Sequence, residues 1–106
     1  MNLLAQTRLA LADIGYKGNL TSWEDITSWL IRVYNISPYI VMLPKGFRGA
    51  CHYRNNFVVS TKTSPEKSQT DHHARVKAIQ LAVQMVEELN QINNYEPNHI
   101  EHDTGN

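Results

Sequence analysis

A chain of 106 residues with one cysteine, Cys51, can form no internal disulfide, and a reducing compartment is expected. It also lacks an apolar run of roughly 18 residues, which excludes a membrane-spanning helix. From Met1 to Asp13 there is neither a basic start nor a cleavage-type site, so no signal peptide is expected. The implied location is cytoplasmic, without a membrane partner. The sequons Asn19-Leu20-Thr21 and Asn35-Ile36-Ser37 are then chance matches. Phosphate-loop, dinucleotide and nucleophile-elbow glycine patterns are missing, as are internal repeats and low-complexity tracts.

What remains is an ordinary globular balance, 42% hydrophobic and 19% charged, with length for one domain. The formal net charge of zero hides a segregation. Residues 1–44 balance three basic against three acidic residues. Residues 45–77 set Lys45, Arg48, Arg54, Lys62, Lys67, Arg75 and Lys77 against Glu66 and Asp71, a net +5. Residues 78–106 hold Glu87, Glu88, Glu96, Glu101 and Asp103 with no Lys or Arg, a net −5. The segregation suggests an electropositive surface and an acidic end, and it equally suits two halves that balance across a solvated surface.

Periodicity predicts a helix over 2–14, stopped by Gly15. A second helix starts at the capping box Thr21-Ser22-Trp23-Glu24, with Thr21 as cap, and ends at Asn35 ahead of Pro38. Trp23, Ile26, Trp29, Leu30 and Val33 would line its core face. Residues 39–43 read as an apolar strand, either inner or covered on both faces. Over 47–54 the residues alternate, Gly49, Cys51 and Tyr53 facing one way and Ala50, His52 and Arg54 the other. A tight Asn55-Asn56 turn leads to a third strand over 57–61, completing an antiparallel meander.

Thr70 or Asp71 caps a final helix reaching about Ile92. Its apolar arc is broad: Ala74, Ala78, Leu81, Ala82, Met85 and Leu89 form one stripe, widened by Ile79, Val83 and Val86. The predicted fold is α+β in two layers: two N-terminal helices, a three-stranded antiparallel meander and a long C-terminal helix. Residues 1–92 would form this domain and 93–106 a mobile polar tail.

The run Trp29-Leu30-Ile31-Arg32-Val33-Tyr34-Asn35-Ile36, followed by a hairpin and an Ala-rich helix, resembles a group of short phage and bacterial proteins. In that group a tryptophan–leucine–arginine helix leads into a β-hairpin and a final helix. The likeness spans residues 22–90, and Ile31 between Leu30 and Arg32 departs from the pattern. It implies a small phage-encoded accessory protein and no catalytic residue. The helix–three strands–helix order is also similar to that of the double-stranded-RNA-binding domain. There a basic Gly-containing loop leads to a final helix that contacts phosphates. Here residues 64–73 carry Glu66 and Asp71 and no lysine cluster, so the likeness is one of topology.

For chemistry the candidates are few. Cys51 and His52 are strand neighbours on opposite faces and cannot form a couple, so Cys51 reads as a core residue. His72-His73 and His99-x-x-His102 have imidazoles suited to zinc, copper or nickel, yet their spacing is incidental and no metal or cofactor is expected. Glu24-Asp25 and Glu87-Glu88 project about 100° apart and share no site. Lys45, Arg48, His52, Arg54 and Arg75 remain as anion or nucleic-acid-binding candidates, with Arg75, Arg54 and His52 as one possible phosphate site. Arg75 faces the apolar arc, where pairing with an acid or snorkelling would also satisfy it. The sequence reads as a non-enzymatic accessory protein acting through contacts with a host or phage protein, and as a homodimer. A nucleic-acid or nucleotide-phosphate binder using 45–77 is the alternative.

Overall fold

A computed structural model describes residues 2–101 of the chain, the side chains of 93–101 excepted. The element order is α1 (Ala5–Asp13), α2 (Trp23–Tyr34), β1 (Ile36–Leu43), β2 (Gly46–Arg54), β3 (Val59–Thr63) and α3 (Asp71–Glu101). The sheet is an antiparallel meander in the order β1-β2-β3, with the helices gathered on one face. The α+β architecture matches the expectation from sequence.

Local chemistry explains the boundaries. Ser22, and not Thr21, caps α2: its Oγ accepts the Asp25 N–H at 3.1 Å. The Thr21 N–H instead donates to Asn19 Oδ1 at 2.8 Å. Asn35 closes the helix in the left-handed region, φ 59°, and its N–H donates to the Ile31 carbonyl. α1 is shorter than predicted, starting at Ala5. Thr70 caps α3, its Oγ1 accepting the His73 N–H at 3.1 Å. That helix continues to Glu101, past the end of the apolar periodicity near Ile92. The expected mobility of 93–106 concerns residues whose side chains, and from 102 onward whose backbone, lie outside the described part.

The pleat divides the sheet into two faces. Gly49, Cys51 and Tyr53 look toward the helices. At Gly49 α3 lies directly on β2, because an added Cβ would run into the Ala74 carbonyl oxygen and stand 2.7 Å from the Ala78 nitrogen. Cys51, Ile26, Leu30, Ile36, Ile79 and Val86 form the fully covered centre of the core. α1 packs on the flank of α3, where Thr7 Oγ1 accepts from Gln80 Nε2 at 3.1 Å. Val83, on the sideways extension of the apolar arc, and Val76, two turns before it, are buried within one chain, with Leu4 ahead of α1 near both. A dimer need not be invoked to cover the last helix.

The reading of residues 39–43 as an inner strand is corrected. β1 is an edge strand, extended back to Ile36, and Tyr39 and Val41 are each 37% exposed. The Gly49 carbonyl accepts from Ser64 on the β3 side, so its β1 partner Ile40 turns its own backbone groups outward. By the same alternation the Pro38 nitrogen points away from β2, where its missing N–H deprives the edge of a donor, and the residue itself is buried. The second hairpin also differs from the expected Asn55-Asn56 turn. Residues 55–58 form the loop, Asn55 N–H donating to the Val58 carbonyl at 2.9 Å, and β3 starts at Val59.

Candidate functional site

The face of the sheet turned away from the helices carries the basic side chains. Along β2, Arg48, Ala50, His52 and Arg54 share this face by two-residue spacing, with Ala50 fully covered between half-buried Arg48 and His52 and with Arg54 exposed. Opposite them in register stand Val41, Tyr39 and Ser37 on β1. On β3, Thr63, Thr61 and Val59 face Ala50, His52 and Arg54. Arg48 to Arg54 spans six residues, about 20 Å along the strand. Tyr39 falls opposite Ala50, between the rows of Arg48 and His52.

Electrostatics separate the two faces. No Asp or Glu occurs between Asp25 and Glu66, so every strand is free of acid. The ion pairs among the described residues all lie toward α3: Lys62–Glu88 at 3.3 Å, Arg75–Asp71 at 2.6 Å and Lys77–Glu66 at 3.5 Å. Arg48 and Arg54 belong to none of them. Arg48 Nε is covered and has no hydrogen-bond partner among the described residues. His52 Nδ1 lies 2.9 Å from Thr61 Oγ1, a contact that orients the ring and leaves Nε2 as its second polar atom.

Of the five candidates, the fold brings Arg48, His52 and Arg54 together and puts Lys45 in the β1–β2 turn at the end of the row. Arg75 is elsewhere. It sits on α3 across the sheet, paired with Asp71, its guanidinium 5.1 Å from the Trp23 ring centroid. The concavity around it also takes in Glu24 and Asp71, carboxylates that would repel an anion. The fold does not assemble a phosphate site from Arg75, Arg54 and His52, since Arg75 belongs to the helical layer and is paired with Asp71. Tyr39 was not among the candidates, although pairing β1 to β2 through the Pro44-Lys45 turn would have set it beside the basic row.

Other features offer little chemistry. Cys51 is buried, and burial pushes its thiol up to about 11, which keeps it protonated at neutral pH. Burial, with the nearby Asp25 carboxylate second, raises the Tyr16 hydroxyl, which donates to the Asn19 carbonyl at 2.7 Å. A cleft of about 460 Å³ between α1 and α3 is lined by Thr7, Gln80, Val83 and neighbours. Among the described residues no group of three or more His, Cys, Asp or Glu is placed to hold a metal ion. His99 and His102 have side chains outside the described part. No described helix is long and apolar enough to cross a membrane.

Comparison of the chain with protein-family models, with curated proteins and with solved structures returns no match.

Proposed function

We propose that this chain is a small non-enzymatic accessory protein that binds a nucleic-acid strand on the open face of its sheet. The observation that carries this reading is the row Arg48, His52 and Arg54 on one face of β2, in a stretch without a single acid. Guanidinium groups contact phosphate oxygens, and an aromatic among them offers a stacking surface for bases. Tyr39 has that position. At a rise of about 3.4 Å per stacked nucleotide, the ~20 Å row matches roughly six nucleotides.

Fluorescence anisotropy with single-stranded DNA and RNA across a salt series tests the reading. Affinity is expected to fall steeply with salt. Arg48→Ala and Arg54→Ala should each reduce the log–log slope by about 0.7, the share of one phosphate contact on a single strand. Absence of binding to any strand at low salt would refute it.

A second reading, a homodimer formed through the same face, is favoured by the partial exposure of Tyr39 and Val41 beside one another's rows. Light scattering at micromolar concentration separates it: a mass near 12.1 kDa excludes the dimer, and twice that supports it.

A further inference from the structure

We propose that the tip of the β2–β3 hairpin is a base-stacking platform, with Phe57 as the ring that receives an unpaired nucleobase. The proposal rests on the reading of the open sheet face as a nucleic-acid surface, and it narrows the ligand to strands whose bases are free. Phe57 is 93% exposed, and Val58 and Val59 beside it are also exposed. The loop that presents this ring is tightly bonded. Asn55 Oδ1 accepts the N–H of Phe57 at 2.9 Å and of Val58 at 2.7 Å. Asn55 N–H donates to the Val58 carbonyl at 2.9 Å, and Asn55 Nδ2 donates to the Tyr53 hydroxyl at 2.8 Å. The backbone carrying Phe57 is fixed before any ligand arrives, so binding sacrifices little loop freedom.

Its position selects the occupant. Arg54 stands immediately before the turn and pairs across the ladder with Val59, in line with His52 and Arg48. A row of cations that ends at an exposed aromatic on a hydrogen-bonded loop is how sequence-tolerant single-strand sites combine phosphate contacts with stacking. A duplex keeps its base faces inside its own stack and has none to offer the ring. A protein partner fits poorly, because one ring and two valines fall far short of the roughly 800 Å² per side of a stable interface.

The test compares wild type, Phe57→Ala, Phe57→Trp and Arg54→Ala on three probes: a mixed-sequence single strand of roughly twelve nucleotides, its duplex, and the same strand bearing abasic positions. Because Phe57 is exposed, Phe57→Ala should melt as wild type does. It is expected to weaken single-strand binding about tenfold or more, the loss of one stack, while Phe57→Trp retains it. Abasic substitution should weaken wild type more than Phe57→Ala, and the duplex should bind more weakly than the single strand. Quenching of 2-aminopurine in the strand by wild type, and not by Phe57→Ala, gives a direct optical readout. If single strands bind, respond to salt and to Arg54→Ala, yet ignore Phe57→Ala, the platform is refuted and the sheet-face reading stands. Equal losses from Phe57→Ala on intact and abasic strands, or equal binding of the duplex, also refute stacking. Failure of every probe to bind at low salt overturns both.

Discussion

Gly49→Ala adds one methyl group at the closest approach between α3 and the sheet. Gly49 shows no left-handed backbone angle, so alanine fits its conformation and the effect is purely one of space. The new carbon would meet the Ala74 carbonyl oxygen, the Ala78 nitrogen at 2.7 Å and the Lys77 Cβ at 3.0 Å. The first two are backbone atoms of a helix and cannot turn aside by changing rotamer, so α3 itself must lift. Overpacking of this kind costs about 1–3 kcal/mol, here toward the upper end. Replacing glycine removes freedom from the unfolded chain and returns about 0.4–1 kcal/mol. The net loss is then about 2 kcal/mol, or a fall of roughly 8–16 °C in Tm for a domain of this size. Thermal and urea unfolding followed by circular dichroism would measure it, with the urea slope unchanged. Truncating the facing side chains, by Ala74→Gly or Ala78→Gly, should give no rescue, since the obstacles belong to the backbone. A Gly49→Ala protein within about 0.5 kcal/mol of wild type, or one rescued by those truncations, would refute the packing argument.

At the end of α2, Asn35 holds φ 59°, so Asn35→Ala should destabilise by about 1 kcal/mol, whereas Asn35→Gly should be neutral or stabilising in the same urea titration. Cys51 predicts a pH dependence. Its folded thiol titrates near 11, above its unfolded value, so the unfolded chain loses this proton first as pH rises. The stability contributed is complete below about pH 9 and is lost between about pH 9 and 11. Cys51→Ala should flatten that part of the curve. Alkaline unfolding series on the two proteins check it, and identical slopes would count against a buried thiol.

Much of this fold is legible in the sequence because its signals are local. The alternation of 47–54 correctly sorts Gly49, Cys51 and Tyr53 from Ala50, His52 and Arg54, since a strand has only two faces. Asn35 and Thr70 act as caps by their own side-chain and backbone chemistry. The misreadings have physical causes. Thr21 and Ser22 are adjacent hydroxyls that both fit a capping pattern, and the choice turns on Asn19, whose side chain takes the Thr21 N–H. Phe57 and Val58 have strand propensity, yet Asn55 binds both of their N–H groups and draws them into the loop. The residues beside Val76 and Val83 belong to the N-terminal stretch with Leu4 and α1, far away in the chain, and no periodicity encodes that proximity. For the site, alternation aligns the basic residues, but which face stays open depends on where α3 docks. For Arg75 the surroundings are Trp23 and Asp71, and the Trp23 contact comes from another helix that periodicity along α3 does not reveal.

The proline in the edge strand β1 bears on the fate of the chain at high concentration. Strand edges grow into fibres by templating, each new strand taking up the donors and acceptors of the last. On this edge Ile40 offers an N–H, whereas Pro38 is buried and offers none, so an incoming strand finds the row both covered and broken there. The apolar run through Leu43 has the composition of a sticky segment, and one missing hydrogen interrupts its propagation. A valine at position 38 would supply the missing hydrogen, yet the cover over that residue would still hold a new strand off, so this edge is blunted twice.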